Sequence, residues 1–246
     1  MDQERREVAL RFGIPTTAPF PLPRLASDTW RVEYVHNVAS QPDYSLIKGW
    51  IRQCSDAHSS CESRNCPELR KARMVDVEHR VITSLPDDCE YFALSYVWGG
   101  VQQQSGPPAG PLPDQLGLTI EHAITVVRNL GYRYLWVDSL CIDQCNPDEK
   151  HDQIGLMHRI YHSAFATIIV LDSPNANSGI PGVGSSRNAS QIWAQFGNNQ
   201  ILSKCPSMSS ELGRSVWATR AWTYQEGLLS RKRLVFTNNQ VHFVCN

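Results

Sequence analysis

Three short, largely apolar runs set the limits on this fold. They occupy residues 91–97 (YFALSYV), 132–138 (YRYLWVD) and 165–171 (FATIIVL). A strand that is apolar at nearly every position has both faces covered, which usually means a parallel sheet between layers of helix. The segments between the runs read as those helices. Ile120, Ala123, Ile124, Val127 and Leu130 fall on one helical face, with Gly131 as a C-cap. Asn146-Pro147-Asp148-Glu149 supplies an N-cap, a proline at the first helical position, and acids suited to the positive end of a helix dipole. Ile154, Met157, Ile160, Tyr161 and Ala164 then make a core face. Strand–helix–strand–helix–strand predicts right-handed βαβ units, hence an α/β fold with a mostly parallel sheet flanked by helices.

The flanking regions read differently. Residues 1–45 carry Pro15, Pro19, Pro21, Pro23 and Pro42 and little periodicity, as expected of a surface arm ahead of a domain over 46–246. Leu46, Ile47, Trp50, Ile51 and Cys54 recur at helical spacing, an added N-terminal helical region. Residues 73–85 alternate apolar and polar around Glu78-His79, and Asn238-Asn239 separates RLVF from QVHFV. These are two hairpin signals, the second closing the chain. The segment at about 173–215 is rich in Ser, Asn and Gly and reads as a long insertion, while WATRAWTYQEGLLS after it reads as helical.

Composition removes several function classes. With 41% apolar and 19% charged residues the chain can build a core, and its net charge of −1 gives no general attraction to nucleic acid. No apolar run reaches the roughly 18–20 residues that cross a bilayer, and MDQERREVALRFG is too charged for a signal peptide. The expectation is a cytoplasmic protein with no membrane span, no nucleic-acid partner and eight mostly reduced cysteines. There is no GxxxxGK[ST] or GxGxxG phosphate loop and no G-x-S-x-G elbow, which disfavours ATP-driven and α/β-hydrolase chemistry.

In open α/β sheets ligands bind at the carboxyl ends of the strands. Here those ends carry Ser95, Tyr96, Trp98 and Gly99, then Asp138, Ser139, Asp143 and Gln144, then Asp172 and Ser173. They suit a polar crevice, and equally the capping of turns. In a helix Trp222 and Glu226 would lie four apart on one face, an aromatic beside a carboxylate whose pKa apolar surroundings would raise. The plainer alternative is a core Trp222, with Glu226 paired to Arg220 or Arg231 on the surface. Cys54-x3-His58-x2-Cys61-x4-Cys66 places four zinc-type ligands within thirteen residues. Its spacing fits no standard finger, and thiols packed along a helix would explain it as well. Cys141 as a nucleophile has no identifiable base.

Taken in order, ALSYVWGG (93–100), LGYRYLWVDSLCIDQCNPDEKHDQIGLMHRIYHSA (130–164) and RAWTYQEGLLSRKRLVF (220–236) resemble the fungal heterokaryon-incompatibility (HET) domain. The resemblance includes the Trp50/Cys54/His58/Cys61 stretch and Gly179-Ile180-Pro181-Gly182. It implies a fungal cytoplasmic module that triggers self/non-self-dependent cell death. HET domains are in turn distantly similar to TIR domains, implying a flavodoxin-like core over about 91–246. Leu94-Ser95-Tyr96, the stretch from Gly131-Tyr132 to Asp138, and Trp222-x-x-x-Glu226 match TIR motifs, with Thr223 in place of a cysteine. That resemblance implies NAD glycohydrolase chemistry with Glu226 as catalytic carboxylate. NAD would be substrate, with no cofactor, and Ser95, Tyr96, Trp98, Gly99, Asp138, Asp143, Gln144, Arg220 and Trp222 would line the site. It also implies a homo-oligomer on activation. The alternative is a non-enzymatic TIR-like module that signals by self-association.

Overall fold

The structure is a computed structural model in which residues 12–15, 33–35, 38–62, 66–101, 109–187, 191–196 and 199–245 are described. In chain order these residues form β1 (Phe12–Pro15), β2 (Glu33–Val35), α1 (Tyr44–Ala57), β3 (Arg73–Asp76), β4 (Val81–Ser84), β5 (Tyr91–Ser95), β6 (Gly110–Pro111) and α2 (Leu118–Leu130). The second half adds β7 (Tyr134–Trp136), α3 (Asp138–Cys141), α4 (Pro147–Ser163), β8 (Ala166–Val170), β9 (Trp193–Phe196), β10 (Asn199–Ser203), α5 (Met208–Leu212), α6 (Ala221–Leu229), β11 (Lys232–Phe236) and β12 (Val241–Cys245).

The three apolar runs become β5, β7 and β8, and every residue of these strands is buried. They sit inside an eight-stranded sheet of order β12-β11-β8-β5-β7-β3-β4-β6. Within this sheet β11, β8, β5 and β7 pair in parallel. β12 joins β11, β3 joins β7, β4 joins β3 and β6 joins β4, all antiparallel. The sheet is therefore mixed rather than mostly parallel. The β3–β4 hairpin docks on the β7 edge of the parallel centre, and β12, folding back from β11, covers the other, since an unpaired edge leaves backbone donors and acceptors unsatisfied.

Local signals set the helix ends. Gly131 takes φ 84° to close α2, and the Asn146 side chain accepts from Glu149 N to start α4. Ile160 and Tyr161 of α4 are buried, whereas Ile154 is 38% exposed, so the core face covers only the C-terminal part of that helix. Asp43 caps α1, whose Ile47, Ile51 and Cys54 face inward while Trp50 stacks on Phe243 of β12 at 6.5 Å. The helix expected through residues 217–230 is instead a 3-10 turn, Trp217–Thr219, a break at Arg220, and then α6.

Most of the 1–45 arm lies outside the described residues. Its strands β1 and β2 belong to a second sheet, β2-β1-β10-β9, completed by two strands from the 173–215 segment. Among the described residues no helix is long and apolar enough to cross a membrane.

Candidate active site

Ser95 is the last residue of β5 and sits at the carboxyl end of the parallel centre. Its hydroxyl donates to Glu226 Oε2 at 2.5 Å and accepts from Trp217 Nε1 at 2.8 Å. All three residues are buried, with Glu226 only 7% exposed. The Tyr161 hydroxyl donates to the Leu94 carbonyl at 3.1 Å and lies against the same carboxylate. Burial raises the Glu226 pKa above its ordinary value; the Ser95 hydrogen bond, the Arg220 charge and Tyr161 oppose that shift without cancelling it.

A second carboxylate stands nearby. Asp138 begins α3 at the end of β7, accepting from Ser139 N at 2.7 Å and from Trp98 Nε1 at 3.1 Å. Burial, followed by the charge of Glu226, pushes its pKa up to about 7. Tyr96 OH and Ser139 Oγ are 3.0 Å apart, and Arg220 Nη1 donates to the Tyr96 carbonyl at 3.0 Å. Two strand ends and α6 thus converge on one polar group in which Ser95, Tyr96 and Glu226 are buried and Trp98, Asp138 and Arg220 half-buried.

The backbone around this group is braced. Gly99 has φ +65°, and a Cβ there would lie 2.3 Å from Asn175 Cβ and 2.5 Å from the Pro174 carbonyl. The loop after β5 and the loop after β8 therefore touch at a point where only glycine fits. Thr223 is buried, with Oγ1 2.5 Å from the Trp217 carbonyl and 2.7 Å from the Arg220 carbonyl, which fastens the Trp217 turn to α6.

Other sequence candidates lie elsewhere. Asp143 accepts from Cys145 N at 2.9 Å, and Gln144 Nε2 donates to the Ile142 carbonyl at 3.4 Å, so both serve their own turn. Trp222 falls in α6, but its side chain lies outside the described residues. Cys141 is fully buried and burial pushes its thiol up to about 12, away from the thiolate form that a nucleophile needs. Cys66 donates to Glu68 Oε2 at 3.0 Å. A cavity of about 670 Å³ opens at the amino ends of the parallel strands, beside Tyr91, Tyr132 and Tyr134, away from Glu226.

Sequence reasoning missed Trp217 and the roles of Tyr161 and Thr223. Tyr161 was legible only as a core position, because its helical spacing says nothing about its hydroxyl. Trp217 carried one signal, a tryptophan three residues before Arg220, where the RAWTYQEG block begins.

Residues 91–226, more than half of the chain, match the family described as heterokaryon incompatibility protein (HET). Among curated proteins the chain is similar to "Heterokaryon incompatibility protein 6, OR allele" of Neurospora crassa, at 30% identity over 135 residues. That alignment covers 49% of this chain and 18% of the relative, so the chain spans less than a fifth of that protein's length. No solved structure matches the chain.

Proposed function

Because the chain belongs to the heterokaryon incompatibility (HET) family, we propose that it is a cell-death effector module of fungal self/non-self incompatibility. In this reading it acts by cleaving the nicotinamide–ribose bond of NAD, with Glu226 as the catalytic carboxylate. The proposal takes residues 46–246 as the HET domain, with a TIR-like, flavodoxin-like core over about 91–246 that carries an insertion at about 173–215. The observation that supports it is the buried Ser95–Glu226 pair at the carboxyl ends of the parallel strands, with Asp138 beside it.

The chemistry suits such a pair. Nicotinamide leaves as a neutral base with the electrons of the C–N bond, and the ribosyl group becomes an oxocarbenium-like cation. A fixed carboxylate in a dry site stabilises that cation as it develops. Water then adds at the same carbon, giving ADP-ribose and one proton. Asp138, with a pKa of about 7, is suited to take that proton. Arg220 would face the pyrophosphate, and Trp98, whose indole N–H is held by Asp138, offers its ring to a base.

One observation favours a second reading. Glu226 is 7% exposed and its carboxylate is already engaged by Ser95, so substrate reaches it only if the Trp217 turn or α6 moves. Under this second reading the module is non-enzymatic and signals by self-association in the cytoplasm. Incubating the purified chain with NAD, dilute and then concentrated or cross-linked, separates the two. The enzymatic reading expects nicotinamide release that falls at least ~100-fold in Glu226→Gln while the thermal midpoint holds. Release that persists in the variant sinks the role of Glu226. No release at any concentration leaves self-association as the function, to be traced by surface variants that keep the protein monomeric.

A further inference from the structure

The C-terminal turn of α1 and the last residue of β12 meet at one point. Cys54 lies in that last turn, and His58 ends the helix, its N–H donating to the Cys54 carbonyl at 2.9 Å. Cys61 closes the next 3-10 turn, Ser59–Cys61, its N–H donating to the His58 carbonyl at 3.0 Å. These two turns fold three side chains toward one point. Cys245 arrives there from β12, its Sγ 3.5 Å from His58 Nδ1. The ligand atoms of Cys54, His58, Cys61 and Cys245 all lie within 4.8 Å of one another.

We propose that Cys54, His58, Cys61 and Cys245 bind one zinc ion in a structural Cys3His site that fastens the final strand of the sheet to α1. Zinc with sulfur at about 2.3 Å and nitrogen at about 2.0–2.1 Å in a tetrahedron sets its ligand atoms about 3.5–3.8 Å apart. The His58–Cys245 pair already has that spacing, and the remaining pairs stand within about 1 Å of it. Three thiols and an imidazole exceed what a disulfide needs, and a disulfide gives His58 no role.

Charge and position agree. Zinc with three thiolates carries a net charge of −1, and the Arg233 guanidinium on β11 interacts with Cys61 and Cys245. Cys54 and Cys61 are buried while His58 is exposed, which leaves an entry path on one side. β12 is the edge strand beyond β11, with Trp50 of α1 stacked on its Phe243. A metal at Cys245 would hold the exposed end of that strand in place. All four ligands lie outside residues 91–226, and none of them bonds to Ser95, Trp217 or Glu226, so the proposal does not rest on the Glu226 reading.

The test is metal content of the full chain produced with zinc in the medium and then desalted. About one zinc per chain is expected, falling at least ~10-fold in Cys245→Ser and unchanged in Cys66→Ser. Wild-type protein without zinc, or Cys245→Ser that keeps it, overturns the site. If Cys245→Ser does not fold, cobalt loaded into the wild-type chain decides. Strong ligand-field bands with thiolate charge transfer are expected of a tetrahedral sulfur-rich site, and a weak octahedral spectrum overturns it. A disulfide among Cys54, Cys61 and Cys245 in protein isolated without oxidant also overturns it.

Discussion

Ser95 and Glu226, 131 residues apart in sequence, share a 2.5 Å hydrogen bond that joins the end of β5 to α6. The same hydroxyl takes the indole N–H of Trp217, so one serine satisfies a buried donor and a buried acceptor at once. Ser95→Ala strands both partners. A loss of about 1–3 kcal/mol in urea unfolding is expected, with Glu226 pushed further above its ordinary pKa. A variant as stable as wild type would show that water or a rearranged α6 replaces the hydroxyl.

Asp138 gives an unusual pH dependence. Its folded pKa of about 7, raised first by burial and then by Glu226, lies above the unfolded value of about 4. The folded protein therefore binds the proton more tightly. The stabilisation is complete below pH about 4 and is lost as pH rises through about 7. Relative to Asp138→Asn, the wild type should lose on the order of 3 kcal/mol between pH 4 and 8. Parallel stability curves for the two proteins would contradict this assignment.

Asp76 works in the opposite direction. Burial alone would raise its pKa, but Arg133, His79 and the amides of His79 and Glu78 hold it well below the usual carboxylate range. The Arg133 Nη2 contact is 2.7 Å, and the two amides donate to Oδ1 across the β3–β4 turn at 3.0 and 3.1 Å. This stabilisation is full above the unfolded pKa and disappears as pH falls below about 4. Asp76→Asn should cost about 2–4 kcal/mol at pH 7 and flatten the acid limb of the curve. Acid titration of both proteins, followed by circular dichroism, checks it.

Gly99 and Gly100 separate two kinds of glycine requirement. Both have positive φ, +65° and +74°, but a Cβ on Gly99 strikes Asn175 and Pro174 whereas one on Gly100 meets open space. Gly100→Ala should cost only the left-handed backbone penalty, about 1 kcal/mol. Gly99→Ala should cost clearly more, about 3 kcal/mol or above, because the two loops must part. Equal melting temperatures for the two variants would refute the close contact.

Much of the framework is legible in the residues. Apolar runs at 91–97, 132–138 and 165–171 mark the buried parallel strands, and Gly131 and Asn146 mark helix ends where the structure has them. Periodicity shows which way a helix faces but not how much of it the sheet covers, which is why Ile154 is exposed. It is also silent on what docks at a sheet edge, so the pairing of β3 with β7 and of β12 with β11 leaves no mark in the apolar pattern. The site divides in the same manner. Ser95, Asp138 and Glu226 could be named from motif position, whereas the Ser95–Trp217 bond spans 122 residues and leaves no local trace. Cys245 in the Cys/His cluster is another such case, since spacing rules cannot see a ligand supplied from the far end of a sheet.

The sheet order has a practical consequence for dissecting this chain. The stretch that matches the family stops at residue 226, yet β8 at its heart is flanked by β11, and β7 by β3, both outside that stretch. A polypeptide cut to residues 91–226 would bare both margins of its own central strands as sticky templates for neighbouring molecules. It should aggregate on expression, whereas the full chain 1–246, which keeps β1 paired to β10 as well, stays monodisperse in light scattering. The stretch that the family match covers is thus smaller than the sheet that must fold as one cooperative body.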